Sequence, residues 1–175
     1  MHLETARLLI RDYVPDDGKS VHQYASNETV CRYTMWGPNT EHQTKDYIEQ
    51  VIAAQGQNPR LSYELAVILK EEEQLIGGCG LVLNTPNGEI GYCFHPAYWG
   101  RGYAAEAARA MLQFGFTEHH LHRIYATCRP GNVASANVMR RIGMKQEGHL
   151  REHLWFKGQY HDSYLFSILE HEFHG

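Results

Sequence analysis

The stretch from Ile90 to Ala107 limits what this chain can fold into more than any other, because its periodicity changes in the middle. Glu89 to Phe94 has the alternation of a strand. From Ala104 onward, Ala104, Ala107, Ala108, Met111, Leu112 and Gly115 recur on one helical face, with Glu106, Arg109 and Gln113 opposite. Between the two lie a short loop and the turn Gly100-Arg101-Gly102. Two glycines at a helix start let backbone approach a ligand closely, and the first unpaired amides and the helix dipole favour negative charge there. Arg101 adds a full positive charge. The turn therefore has the makings of a phosphate site, although a glycine pair alone also fits a plain helix cap.

Gly100 to Ala105 also matches the dinucleotide pattern G-x-G-x-x-G/A. Against that reading, Pro96 to Trp99 separate the glycines from the strand, and no acidic residue ends the next strand, which closes Thr127-Cys128-Arg129. A G-x-x-x-x-G-K-[ST] loop is absent. Three strands, Tyr63–Leu69, Leu75–Leu83 and Glu89–Phe94, are joined by the acidic turn at 70–74 and the turn at 84–88, too short for anything but antiparallel pairing.

Upstream, Arg7–Asp12 reads as a first strand, followed by a helix from Pro15 to about Ser26 with Asp16 or Asp17 as its cap. Residues 27–39 show no clean period. Thr40 and Gln43 form a capping box ahead of a stripe running from Tyr47 to Gln55. Downstream, Arg123–Cys128 is a strand, Asn132 caps a short helix ended by Gly143, and 145–156 with 160–169 form a hairpin. These elements predict an α+β fold: a mixed, largely antiparallel sheet with helices on both faces.

At 175 residues the chain is expected to be one domain, 1–175. A net charge of −4 argues against a nucleic-acid partner, and no apolar run approaches the roughly 18 residues of a membrane span. Glu4, Arg7 and Arg11 near the start leave no signal-peptide pattern, and four cysteines at no metal-like spacing suggest reduced thiols, so the expectation is a cytoplasmic protein. The twelve histidines lack a completing set of ligands, so no metal is expected.

Several motifs in fixed order carry a resemblance: Glu4 to Arg11, Gly88-Glu-Ile-Gly-Tyr92, Tyr98-Trp-Gly-Arg-Gly-Tyr-Ala104, Asn132-Val-Ala-Ser135, Ile142-Gly143-Met144 and Gly158 to Asp162. Together the sequence resembles the GNAT superfamily of N-acetyltransferases, nearest the branch of ribosomal-protein N-terminal acetyltransferases. The resemblance implies acetyl-coenzyme A as co-substrate. Its pyrophosphate would lie over Gly100, Arg101, Gly102, Tyr103 and Ala104, and its pantetheine arm along the strand ending Phe94-His95, with Asn132 beside it. The acceptor implied is a primary amine, on a protein N-terminus or a small molecule such as a polyamine or amino sugar, with residues 27–39 as one wall of its pocket.

Acetyl transfer needs a neutral amine, a stabilised oxyanion and a protonated thiol. A backbone amide of 92–95, in a strand distorted in this family, would hold the oxyanion. The tyrosine that many relatives place on the short helix is here Met139, so Ser135, kept from the resembled branch, is the candidate near the thiol. Glu152 is the candidate base through water, with Glu89 second and His95 a further option; an α-amine with pKa about 7.7–8.0 is also partly neutral unaided. Trp99 stands where the superfamily turn usually has glutamine or arginine, and reads as packing under the turn. A non-catalytic acyl-CoA-binding domain and an NADP-dependent reductase are the other classes open at this point.

Overall fold

The computed structural model describes residues 1–175. Eight strands form one sheet: β1 (His2–Glu4), β2 (Leu8–Asp12), β3 (Ser62–Leu69), β4 (Gln74–Asn84), β5 (Asn87–Phe94), β6 (Arg123–Cys128), β7 (Lys145–Phe156) and β8 (Gln159–Leu169). Their order is β1-β2-β3-β4-β5-β6-β8-β7. Neighbours are antiparallel except β5 and β6. Chain length between strands explains this. Thr85-Pro86 alone turns β4 into β5, and Lys157-Gly158, both at positive φ, turn β7 into β8. The parallel pair needs a crossover, and helix α4 (Tyr103–Thr117) supplies it.

Helices cover both faces, as expected from a sheet whose inner strands are apolar on both parities. On β3, Leu65, Val67 and Leu69 point into a core shared with Ala107, Met111 and Leu112 of α4 and with α5 (Val133–Arg141). Ala66 and Ile68 point the other way, toward α1 (Gly18–Ala25) and α3 (Glu41–Gln55). The stripe read from Ala104 to Gly115 is the buried face of α4. Gly115 is there because of close approach: a β-carbon on it would stand 2.7 Å from Ile124 of β6. No helix is long and apolar enough to cross a membrane.

Three expectations need correction. Asp17 precedes α1 but does not cap it; its carboxylate accepts the Val14 amide at 2.8 Å and is gripped by Arg11 at 2.7 and 2.8 Å. Residues 27–39 are not wholly irregular, since Asn27 accepts the Thr29 and Val30 amides and starts the one-turn helix α2 (Glu28–Cys31). Its four residues are too few to display a period. Finally, β5 keeps an unbroken register against β4, so it carries no bulge.

Candidate active site

Strand β5 pairs with β6 only from Asn87 to Glu89, against Arg123 to Tyr125. Beyond that point β5 stays with β4 to Phe94, while β6 stays with β8 to Cys128. The two strands therefore splay, and their facing edges from Ile90 and Ala126 onward line a cleft of about 690 Å³. A strand edge without a partner presents N–H and C=O groups to whatever lies beside it. At the far end the Trp99 indole N–H donates to the Phe94 carbonyl at 2.7 Å, fixing the loop to β5. Trp99 is thus tethered to the strand through its nitrogen, and its ring remains about half exposed, 48%.

The cleft runs to the start of α4. Gly100 and Gly102 have φ of 74° and 83°, the left-handed conformation that other residues adopt at a cost. Gly102 is the residue before the first helical turn, so the unpaired amides of α4 open onto the cleft. Two guanidinium groups flank it: a β-carbon on Gly102 would be 3.5 Å from Arg7 Nη2 and 3.6 Å from Arg141 Nη1. Arg7 is held by Glu106, by the Arg101 carbonyl at 3.0 Å and by the Tyr103 ring. Donors, dipole and cations together fit a pyrophosphate, and the long edge of β5 fits an extended amide arm.

Of the residues expected along this cleft, Phe94, Gly100, Gly102, Tyr103, Ala104, Asn132 and Ser135 line it. His95 and Arg101 do not. The His95 ring accepts the Ala97 amide at 3.2 Å and so caps its own turn; Arg101 contributes its carbonyl and lies 5.8 Å over the Tyr98 ring. Asn132 caps α5 by accepting the Ser135 amide at 3.1 Å, and the Ser135 hydroxyl meets the Tyr92 hydroxyl at 3.1 Å. The Tyr92 hydroxyl also reaches the Ser135 carbonyl at 3.1 Å, and burial raises its pKa. Met139 is 1% exposed and lines the same cleft. Tyr92 and Arg141 were missed in the sequence; Tyr92 stood in the motif with no sign that it faces α5.

On the opposite face of the sheet a wider cavity, about 1220 Å³, meets the cleft along Ile90–Cys93 and at Thr127 and Arg129. Helices α1 and α3 and the loop carrying Met35 and Trp36 wall it. Glu64 of β3 points into it. The carboxylate folds over Gly80, where a β-carbon would stand 3.0 Å from both carboxylate oxygens and crowd them. Burial pushes the Glu64 carboxyl up to about 7, with the Tyr47 hydroxyl pulling it part of the way back. A lone carboxylate in the apolar run Tyr63 to Leu69 was the signal available in the sequence.

Glu89 borders the same cavity, level with Tyr125 of β6. Burial and the neighbouring Glu89 raise the Tyr125 hydroxyl's pKa. Glu152 is placed differently from the expectation. Leu150 pairs with Ser163 and Leu154 with His161, so Arg151 to His153 bulge out, and Glu152 sits exposed at φ 48°. Asp162 staples the bulge, accepting the Glu152 amide at 2.8 Å and touching His149 Nε2 at 2.6 Å. The extra residues turn His153 and Leu154, rather than Glu152, toward the cavity.

Comparison with known proteins agrees with this geometry. The family model described as an acetyltransferase (GNAT) domain matches residues 7–145. The Bacillus subtilis N-acetyltransferase YnaD is 38% identical over 174 residues, covering 98% of this chain and 99% of its own. The crystal structure of a GNAT-family acetyltransferase from Bacillus anthracis superposes with a TM-score of 0.88 at 36% identity, covering 98% and 100%. A spermidine N-acetyltransferase from Vibrio cholerae, solved with CoA and spermine, shares the fold with a TM-score of 0.80 at 22% identity, covering 96% and 98%. The chain belongs to the GNAT family of N-acetyltransferases. It is an acetyltransferase that uses acetyl-CoA to acetylate an amine, which sets aside the reductase and the purely binding alternatives.

Proposed function

We propose that residues 1–175 act as one N-acetyltransferase domain that acetylates an α-amine, with Glu64 as the base. The observation that carries this is a half-buried carboxyl, its pKa raised to about 7 by desolvation, in the cavity that abuts the free edge of β5. An ordinary carboxylate is too weak a base for an ammonium, whereas one near 7 shares the proton at working pH. Glu64 takes the ammonium proton through water and leaves the amine lone pair facing the cleft. Bound acetyl-CoA supplies the acyl thioester and the thiolate leaving group. Backbone N–H groups of the Tyr92–Phe94 edge donate to the oxygen that becomes negative. The nitrogen's second proton passes to the paired Ser135 and Tyr92 hydroxyls as they give one to the departing sulfur, which leaves as the thiol. An unpaired guanidinium in the same cavity wall, that of Arg129, disfavours a polycation and supports an α-amine over a polyamine. The free thiols and a metabolite co-substrate support a cytoplasmic setting.

Incubation with acetyl-CoA and a set of amines, reading thiol release and product mass, tests the reading; it fails if no amine gains about 42 mass units, an acetyl group in place of one hydrogen. The hydroxyl pair has its own test. Ser135→Ala and Tyr92→Phe are each expected to lower kcat about tenfold, below the usual 10²–10⁴ of a positioned acid, because a thiol with pKa about 8.5 leaves readily by itself. The double variant should be no slower than the worse single one, since the two act as one unit. Independent, multiplying losses would show that the hydroxyls do not share a proton path.

A further inference from the structure

Arg129 follows the last residue of β6 and is only 8% exposed. Its Nε and Nη1 are buried with no hydrogen-bond partner, and Nη2 reaches nothing better than Thr127 Oγ1 at 3.4 Å. The Phe156 ring lies 5.9 Å from its carbon. A buried guanidinium without a counter-charge is costly, and burial lowers its pKa accordingly. The carboxylates of the same cavity are engaged elsewhere: Asp46 with His42, Glu64 beside Tyr47, and Glu89 beside Tyr125. Nothing in the chain neutralises Arg129.

Its position shows what could. Ile124, Ala126 and Cys128 face the α4 side of the sheet, so Thr127 and Arg129 face the side of Glu64. Register places Glu64 level with Gly80 and Gly91, and Thr127 lies two residues beyond Tyr125, where β6 has parted from β5. Three strand spacings separate the Glu64 and Thr127 backbones by at least about 14 Å. Between them lie Gly80 and Gly91, and Glu64 and Arg129 line the same cavity on either side of this glycine floor. The phosphate-binding turn is on the other face and has Arg7 and Arg141. Arg129 is therefore spare for the acceptor.

We infer that Arg129 binds a carboxylate carried by the acceptor a few bonds from its reactive amine, the juxtaposition of base and guanidinium across the glycine floor being matched to a zwitterion. The source of that carboxylate is either the α-carboxyl of a free amino acid or the side chain of an acidic N-terminal residue. This rests on the acetyl-transfer reading above. The costly charge is held in place because the ligand, rather than the fold, completes it.

Paired acceptors test it: L-alanine against L-alaninamide, L-phenylalanine against its amide, and tetrapeptides beginning with Glu against the same peptides beginning with Gln, with spermidine as the acceptor without a carboxylate. Wild-type protein is expected to favour the carboxylate in at least one pair by about 30-fold or more in kcat/KM, as a desolvated charge pair would. The pair that responds identifies the source. Arg129→Gln should bring that ratio close to one and leave the KM for acetyl-CoA where it was, and Arg129→Lys should restore part of it. Ratios near one for every pair in wild type, which need no variant to fold, overturn the inference and leave acetyl transfer standing. An equal loss for both members of a pair in Arg129→Gln also overturns it, assigning the guanidinium to the reacting oxygen. No thiol release with any acceptor, spermidine included, overturns both readings.

Discussion

Glu64→Gln is expected to cut kcat/KM at neutral pH by about 10²–10⁴-fold and, above pH 7, to make the protein more stable. The two effects come from one carboxyl. In the wild type, activity should rise with pH through about 7, as Glu64 loses its proton and becomes a base. In the variant that rise disappears, and activity recovers only at higher pH, where the amine deprotonates unaided. Stability moves the opposite way. The folded carboxyl titrates near 7 against an ordinary 4.5, so between those values the folded state holds a proton that the unfolded state has lost. Stability is then full below pH 4.5 and declines as pH rises to 7, by up to about 3 kcal/mol. Glutamine keeps the shape over Gly80 without the charge. Melting curves should coincide near pH 4 and separate in favour of the variant at pH 8. If the two rate–pH curves superimpose instead, Glu64 is not the base and Glu89, which borders the same cavity, is next.

The motif at Ile90–Ala107 was legible because local rules set it: a period change, two glycines in left-handed conformation and an apolar stripe, none needing distant residues. The antiparallel order was equally readable, since turn length alone dictates it. What the sequence did not reveal depends on neighbours far along the chain. The basicity proposed for Glu64 depends on the desolvation of its place over Gly80, against the opposing pull of the Tyr47 hydroxyl from α3. Its signal, one acid in an apolar strand, does not specify which face is buried or what lies there. Tyr92 meets Ser135 only because β5 leaves β6 and α5 packs against the gap. Glu152, taken as a candidate from the resemblance, lies exposed for a different reason. The bulge opposite Asp162 breaks the two-residue alternation of β7 and turns Glu152 outward. Arg129 read as a strand terminator, and its burial could not be foreseen from a Pro-Gly neighbour.

Gly102→Glu is expected to abolish most coenzyme A binding in a protein that still folds. The new side chain starts at a left-handed position, which costs about 1–2 kcal/mol, but that strain is offset in part by its surroundings. A carboxylate at a helix start is favoured by the dipole. It would also emerge between Arg7 and Arg141, whose guanidinium nitrogens lie 3.5 and 3.6 Å from the position of its β-carbon. The protein's own carboxylate would thus occupy the site that the geometry offers to a pyrophosphate and would repel it in addition. At about 5 Å and an effective dielectric near 20, one such repulsion is worth about 3 kcal/mol, or about 10²-fold in affinity. Gly102→Ala isolates the backbone term, because its β-carbon makes only ordinary contacts and brings no charge. Titration calorimetry with coenzyme A should therefore show a modest loss for alanine and a loss at least about 10²-fold larger for glutamate, shrinking as salt is raised. Equal losses for the two variants would mean that conformation alone governs the turn, and the charge argument for pyrophosphate at the start of α4 would have to be given up.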